Sequence, residues 1–484
     1  MDGTNERREA YHRGLSSLSV ADGRDVLLTK DLGSFFSEGA LHRYRAVVEI
    51  EQLISMSESS LRGMPKISDE EKKKLRSIFL SGNFDSKAVA DYDRFGRNGI
   101  GPLEHDIKAV EVYLRERFDD LGIGKLKEFI HFPMTSEDCN NIAFNLMIRD
   151  GLNKVWLPVV LRFGDKLYNL TLEHKDVPVV GKTHARDASP TTIGKRFGYH
   201  LSELVRAVKP LTTSKLEAKF SGAVGNHNAM FAVAPEFDMG AYAKKFVENF
   251  GFTYLPIQNQ RNSHQSMIRV FNDIQMTNLV GMATSNDVEL QILLKLLDLE
   301  GVESHVGSSL MPHKINPWMN EHAYSMLAKS NDGIDGLRRG IYTTWLERIL
   351  TDHAYERSYG EIIGDSVSGF AHITQTLGML RVDKEKCVQS LGEAPEVLSE
   401  AVQIGGRILG VPDVYMKIKE ATRGRKVTLD DMRKIIDGNL PDSDIKRRLL
   451  DLTPDNYIGI APKLAEDSVA EYKSLKEELA SGIL

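Results

Sequence analysis

One polar stretch, Gly307-Ser308-Ser309-Leu310-Met311-Pro312-His313-Lys314-Ile315-Asn316-Pro317, is the most informative part of the chain. It opens with a glycine, carries two hydroxyls and a lysine, and ends in an Asn-Pro pair. Asparagine is a good helix N-cap and proline suits the first helical position, so Asn316 and Pro317 predict the start of a helix. Two interpretations are open: a polar loop leading into that helix, or a glycine-hinged mobile lid that carries a base and a cation over a substrate.

Helical periodicity dominates the rest of the sequence. Apolar residues recur at three- and four-residue steps over residues 107–118 and 193–208, which predicts two helices with one buried face each. Residues 288–299 are apolar almost all round, which predicts a helix in the centre of a bundle. Strand-like patterns are scarce, and residues 167–171 and 177–180 are the best candidates. The predicted fold class is all-α.

Length and composition limit the architecture. The 484 residues exceed the roughly 250–300 at which one core stops growing. Composition shifts near residues 125 and 378 suggest three domains. The first is a mixed helical segment over 1–124, the second holds the longest apolar helices over 125–377, and the third is a charged segment with shorter helices over 378–484.

Charge and cysteine content exclude several classes of function. The net charge of −6 gives no overall basic field for nucleic acid, so an anionic substrate must be held by local cations. The only cysteines, Cys139 and Cys387, exclude a disulfide framework and a Cys-rich metal site. Because the N-terminus lacks an apolar run and no stretch nears the roughly 20 apolar residues of a membrane span, we expect a cytoplasmic protein that contacts no membrane.

The sequence does not support a phosphate-binding P-loop or a helical zinc site. Gly181-Lys182-Thr183 looks like the end of a phosphate-binding P-loop, but Asp176 stands where that motif needs a glycine. The fourteen histidines include no His-Glu-x-x-His pair, so a helical zinc site has no support and no metal is expected.

The stretch 307–317 closely resembles the signature loop of the fumarase/aspartase superfamily, Gly-Ser-Ser-x-Met-Pro-x-Lys-x-Asn-Pro. The resemblance covers about residues 19–462 and points to the bacterial-type branch that acts on succinylated purine nucleotides. It implies a three-domain all-α fold, a central long-helix bundle that forms the core of a homotetramer, active sites shared between subunits, and no cofactor. The stretches that support the branch are Ala21-Asp22-Gly23-Arg24 and residues 105–111, 135–138, 221–228 and 453–459.

The superfamily's reaction is an anti elimination, and the resemblance assigns its parts. Ser308 is the base that removes a proton beside a carboxylate, and it needs nearby positive charge and exclusion of water because a serine hydroxyl holds its proton tightly. Lys314 supplies that charge. His184 is the acid that protonates the leaving nitrogen, since histidine gives up a proton near neutrality. Glu321 orients His184. Without the resemblance, His184 could simply cap a helix and Glu321 could lie on the surface.

Substrate contacts are also carried over from the resemblance. Thr135-Ser136-Glu137-Asp138 has the form of a capping box, whose free backbone amides favour an anion, and the family uses it for a succinyl carboxylate. The resemblance implies that Arg24, Arg348 and Arg357 bind the phosphate and ribose. The arginine fork suits phosphate because it makes paired bonds to it. Further predicted contacts are His105, Asp106, Gln260, Ser309, Met311, Asn316 and His353.

The sequence departs from the branch at several positions. After His184 the family usually continues Gly-Gln-Pro, whereas this chain has Ala185, Arg186 and Asp187. Arg186 could bind a substrate carboxylate or be paired by Asp187. His353 replaces a phosphate-contacting serine. Asp25 replaces a tyrosine and would repel phosphate unless it points away.

The resemblance predicts cleavage of adenylosuccinate into AMP and fumarate, with a second activity on the succinylated carboxamide ribotide of purine synthesis (SAICAR to AICAR). Two alternatives stay open: another lyase of the superfamily, such as one acting on argininosuccinate, and a structural protein without activity.

Overall fold

The computed structural model describes residues 3–80, 82–300, 310–311, 313–392, 395–424 and 427–484. Helices dominate, and the described residues contain three sheets of two short strands each. The prediction of an all-α fold is therefore confirmed. None of the helices among these residues is both long and apolar enough to cross a membrane.

The elements follow one another in this order. The N-terminal part contains α1 (Gly3–Gly14), α2 (Val26–Thr29), α3 (Gly33–Phe36), α4 (Glu38–Ser57), α5 (Asp69–Ser77), α6 (Ser86–Arg94) and α7 (Asp106–Asp120). The middle contains α8 (Ser136–Gly151), α9 (Leu157–Glu173), β1 (Pro178–Thr183), β2 (Arg186–Thr192), α10 (Ile193–Val208), β3 (Glu217–Ala218), α11 (Asn228–Val233), α12 (Met239–Glu248), β4 (Thr253–Tyr254), α13 (Gln265–Leu293), β5 (Leu297–Leu299), α14 (Trp318–Tyr342), α15 (Asp352–Glu356), α16 (Tyr359–Gly378) and β6 (Leu380–Val382). The remainder contains α17 (Lys384–Gly392), α18 (Ser399–Ile408), α19 (Val414–Thr422), α20 (Leu429–Asn439), α21 (Asp444–Leu450) and α22 (Ala461–Glu478).

The centre of the molecule is a bundle of long helices. Helices α8 and α9 are joined by a π-helical turn, Leu152–Trp156, so the chain is helical without a break from residue 136 to residue 173. At about 1.5 Å per residue this column is roughly 55 Å long. Buried polar bonds tie it to its neighbours: the Trp156 indole donates to the Ser366 hydroxyl at 2.9 Å, and Ser366 donates to Asn278 at 2.7 Å.

Helices α13 and α14 run antiparallel. Asn278 bonds to Asn331 and Ser285 bonds to Asn320, so positions rise along one helix as they fall along the other. At about 1.5 Å per residue, α14 separates its two ends by roughly 36 Å. Groups at the start of α14 and groups just after its end therefore lie at opposite ends of the bundle.

Smaller apolar clusters flank the bundle. One gathers buried residues of α4, α5, α6 and α7, and another gathers residues of α18 to α21. The last helix, α22, packs on α9 and α10 with Tyr472 and Leu475 in the central core, whereas we predicted it within the C-terminal domain. The domain boundaries themselves stay a prediction.

Several local predictions can be compared with the structure. The helices over 107–118 and 193–208 are confirmed, as is the strand near 177–180. Residues 167–171 are wrong as a strand, because they lie inside α9 with Leu167 and Leu170 on its buried face. The helix over 288–299 is confirmed only for residues 288–293, where α13 ends. Residues 297–299 form β5, and Leu293 is 75% exposed, so the rest of the helix and its complete burial are wrong.

Candidate active site

A cavity of about 720 Å³ lies where the N-terminal ends of α7 and α8 meet the segment that follows α14. Residues far apart in sequence meet here because α4, α7 and α8 pack side by side. Seven of the predicted site residues line it: His105, Asp106, Ser136, Gln260, Arg348, His353 and Arg357. The structure thus brings together most of the predicted substrate-binding groups, whose roles stay predictions.

The start of α8 is fixed by a buried carboxylate. Asp138 closes the predicted capping box with Thr135, whose backbone N–H donates to Asp138 at 3.0 Å. The same carboxylate accepts from Lys219 Nζ at 2.7 Å and from the backbone N–H groups of Ser221 and Gly222 at 2.8 and 3.0 Å. Lys219 and Asp138 are both 0% exposed. The helix end that offers amides to an anion is therefore anchored to the chain around residue 220.

His105 caps the start of α7. Its Nδ1 accepts the backbone N–H of Lys108 at 3.3 Å. Because Nδ1 is the acceptor, the proton of a neutral ring lies on Nε2. His105 is exposed at the cavity, so Nε2–H is available to a ligand.

Four charged side chains form a network at one side of the cavity. Asp106 lies 2.9 Å from Arg45 and 2.7 Å from Arg357, and Arg357 also makes two bonds to Glu38, at 3.0 and 3.1 Å. Burial opposes ionisation of Asp106, but the charges of Arg45 and Arg357 outweigh it and hold its pKa well below its usual range. The network therefore contains two cations and two anions.

Arg348 lies in a second, more deeply buried network. It contacts Asp352 at 2.5 Å and Glu137 at 3.4 Å, and His264 Nε2 lies 3.5 Å from Asp352. Burial raises the pKa of Glu137, although the charge of Arg348 opposes the shift. Burial also raises the pKa of Glu356, the third carboxyl of this cluster, well above its usual range. Both arginines predicted to bind phosphate from this cavity are thus already paired with carboxylates.

His184 lies elsewhere, at the tip of the β1–β2 hairpin. Thr183 pairs with Arg186, so His184 and Ala185 are the two loop residues, with φ of 51° and 59°. Positive φ at both positions is the geometry of a type I′ turn, which normally favours Asn and Gly. Residues held in such a conformation without glycine cluster at functional sites. The hairpin leaves His184 exposed.

The same hairpin argues against one of the two interpretations of Arg186, its pairing by Asp187. Asp187 forms its ion pair with Lys182 across the two strands, not with Arg186. The Arg186 side chain is exposed next to the catalytic candidate His184. Its binding of a substrate carboxylate stays a prediction.

A third group of predicted residues lies around the start of α14. Lys314 and Glu321 are exposed there, Met311 is exposed and Asn316 half-buried in the loop before the helix. The helix begins at Trp318 with Pro317 in the capping position, so the prediction of Asn316 as the cap is wrong by one residue. The two serines of the signature stretch, Ser308 and Ser309, lie outside the described residues.

Arg24 belongs to this third group and not to the cavity. Its guanidinium carbon lies 5.6 Å from the centroid of the Trp318 ring, a cation–π contact. The neighbouring Asp25 points into the protein, where it accepts from the Ser368 hydroxyl at 2.5 Å and from His322 at 2.9 Å. The repulsion of phosphate that its sequence position suggests is thereby avoided.

Two clusters among the described residues combine the ligand types that metals prefer, namely Asp25 with His322 and His372, and Glu137 with His264 and Asp352. In each, the candidate ligand atoms lie within 4.8 Å of one another. In the second cluster Arg348 already neutralises the carboxylates that a metal ion would bind. This arrangement favours an ion-pair network over a metal site.

Several residues of the site were missed by sequence reasoning. Glu38 and Arg45 carry no motif, because their partners Arg357 and Asp106 are far away in sequence. His42 and Asp352 stood in no recognised pattern either. Only Glu137 stood within a recognised pattern, the capping box, and there its side chain had no assigned role.

Known structures share this architecture. A fumarate lyase from Mesorhizobium sp. BNC1 superposes with a TM-score of 0.70 at 16% identity, covering 91% of this chain and 97% of its own. A 3-carboxy-cis,cis-muconate lactonizing enzyme from Pseudomonas putida superposes with a TM-score of 0.70 at 19% identity, covering 93% and 99%. The long-helix bundle is the fold of the fumarase/aspartase superfamily. Family models agree: residues 104–330 match the lyase model and residues 345–458 match the model for the adenylosuccinate lyase C-terminal region. The class is therefore that of the lyases.

Sequence relatives define the particular family. Adenylosuccinate lyase of Haemophilus influenzae is 32% identical over 458 residues, which is 93% of this chain and 98% of that enzyme. The enzymes of Legionella pneumophila strain Corby and of Escherichia coli K12 are 31% and 30% identical, with this chain covering 98% of each. The chain belongs to the adenylosuccinate lyase family.

Proposed function

We propose that the chain releases fumarate from adenylosuccinate to leave AMP, and that it also cleaves SAICAR to AICAR. The cavity that gathers Ser136, His105, Arg348 and Arg357 carries this proposal, because it combines amides for a carboxylate with arginines for a phosphate. His184 would protonate the leaving nitrogen, and Ser308 would remove the carbon-bound proton next to Lys314.

The three groups of predicted residues cannot meet within one chain. The cavity lies at the start of the roughly 55 Å column, whereas the hairpin of His184 follows its far end. Arg24, Lys314 and Glu321 lie at the start of α14, and the cavity lies beyond its end. A complete active site therefore requires residues of neighbouring subunits.

We propose that the chain forms a homotetramer through its long helices. Met276, Leu279, Leu290 and Leu293 are exposed on one face of α13 at helical spacing. An apolar face of this kind favours burial against another subunit. Light scattering should give four times the mass of the chain, and a monomer that turns over substrate would contradict the proposal. A cytoplasmic location stays a prediction.

Substitution of Arg357 by glutamine tests whether the cavity binds the phosphate. A hydrogen bond to a charged group contributes about 1.5–3 kcal/mol. We therefore expect KM for adenylosuccinate to rise roughly 10–100-fold. KM for succinyladenosine, which lacks the phosphate, should change little. Steady-state fumarate release on both substrates measures the difference.

Arg94→Gln is the matched control, since Arg94 lines the same cavity but is exposed and paired with Asp93 at 2.9 Å. It should leave both KM values within about threefold, because the Arg94 side chain is 69% exposed and its charge is screened by water. An equal loss on the two substrates in Arg357→Gln would refute the phosphate assignment. Faster turnover of argininosuccinate than of adenylosuccinate by the unmodified enzyme would favour the other lyase activity.

A further inference from the structure

His42 is a buried imidazole of the cavity wall that the proposed reaction leaves unused. It lies on α4 one turn after Glu38 and is 4% exposed. Its Nδ1 is enclosed and has no hydrogen-bond partner among the described residues. A buried polar atom without a partner is unfavourable, and none of the described residues supplies a partner for this nitrogen.

His353 also lies in this cavity, where it is half-buried and next to Arg357. Its carbonyl accepts from Arg357 Nη1 at 3.4 Å. Both imidazoles face the network of Glu38, Arg45, Asp106 and Arg357, whose two cations and two anions cancel. The other charged or titratable groups that line the cavity are Asp93, Arg94, Glu104, His105, Glu137 and Arg348.

A dianion that enters this part of the cavity meets a neutral environment. Arg357 can still donate to it, but the charge of Arg357 is already balanced by Glu38 and Asp106. Two uncompensated negative charges in a partly buried site are costly. Protons on the two imidazoles can supply compensating charge within the cavity, and a protonated ring has two N–H donors.

We propose that the cavity binds a dianionic oxoanion beside Arg357, between the imidazoles of His42 and His353, and that its binding is accompanied by proton uptake from solvent onto this pair of rings. The inference rests on the proposed function only in identifying the oxoanion as the phosphate of the nucleotide. It makes His42 and His353 determinants of specificity for a phosphorylated substrate.

The pKa values of the free protein fit this coupling. Burial, assisted by the charge of Arg45, lowers the pKa of His42 to about 4. Burial and the charge of Arg357 lower the pKa of His353. Both rings are therefore neutral near pH 7 before the anion binds. A bound dianion favours the protonated ring and raises its pKa, so protons are taken up at pH values between the free and bound pKa.

The sign of the pH dependence follows from linkage. Affinity for the dianion should rise as the pH falls through the pKa of the complex, by at most tenfold per pH unit for each proton taken up. It should level off below the pKa of the free ring, which is about 4 for His42.

Sulfate is the probe that separates protein from ligand protonation. Phosphate monoesters themselves titrate near pH 6, whereas sulfate stays a dianion there. Calorimetric titration of the full protein with sulfate at about pH 6, in two buffers of different ionisation enthalpy, gives the number of protons taken up. We expect about half a proton or more per chain for the unmodified protein. His42→Gln and His353→Gln should each lower that number, and the double variant should abolish the uptake.

His174→Gln is the matched control. His174 is also buried, and burial also lowers its pKa, but it lies at the end of α9 far from the cavity. Uptake should be unchanged in this variant. Should His42→Gln fail to fold, the half-exposed His353 still provides the test.

The outcomes are distinct from those of the proposed function. Sulfate binding without proton uptake, uptake unaltered in both cavity variants, or failure of sulfate to bind would each overturn the inference, even if adenylosuccinate is cleaved. Uptake that is lost in the double variant supports it, even if the nucleotide substrate proves to be a different one.

Discussion

Substitution of His184 by asparagine should lower kcat for adenylosuccinate by roughly 10²–10⁴-fold, the usual loss when a general acid is removed. Asparagine tolerates positive φ better than most residues, so the hairpin turn with φ of 51° at this position should persist. Because the side chain is exposed, the free energy of unfolding should change by less than about 0.5 kcal/mol. The variant should therefore lose activity while its free energy of unfolding stays nearly unchanged.

The measurement combines initial rates of fumarate release with urea unfolding. His12→Asn, a change at an exposed histidine of α1, is the control and should alter neither quantity. A variant at His184 that retained kcat within about threefold would be incompatible with its role as the acid. A rise in KM alone would instead indicate that the ring binds substrate without transferring a proton.

Lys219→Met should give the largest loss of stability. Lys219 and Asp138 are a fully buried ion pair with 2.7 Å between Nζ and Oδ1. Removal of one partner leaves an uncompensated buried charge and typically costs 3–5 kcal/mol. Asp138 also holds Thr135 and the amides of Ser221 and Gly222, so the start of α8 should loosen as well. We expect a fall of about 3 kcal/mol in the free energy of unfolding.

Lys72→Met is the matched lysine control. Lys72 is paired with Glu58 at 2.7 Å, but that carboxylate is more than half exposed. Exposed pairs contribute about 0–1 kcal/mol, so urea unfolding should detect little change. Equal losses for the two variants would mean that burial of the Lys219–Asp138 pair does not determine its contribution.

Helix positions were predictable because local periodicity and caps encode them. The face of residues 107–118, the helix at 193–208 and the capping box of Thr135 and Asp138 all follow from short-range patterns. The error at 288–299 has a physical reason: an all-apolar sequence indicates burial, but it does not say whether burial occurs within the chain or against another subunit. Leu290 and Leu293 are apolar and yet exposed in the single chain.

The ion networks of the cavity were not predictable from sequence. Glu38 and Arg357 are separated by 319 positions, and Arg45 meets Asp106 only because α4 and α7 pack together. Phosphate binding by Arg348 and Arg357 could be predicted by resemblance, but their neutralisation by carboxylates could not. That neutralisation is the basis of the role proposed above for His42 and His353.

The most direct test of the account is an assay of purified protein with adenylosuccinate, following fumarate and AMP together. We expect the two products to form in equal amounts as the substrate disappears. Disappearance of adenylosuccinate without fumarate, or no turnover by the folded and assembled protein, would contradict it.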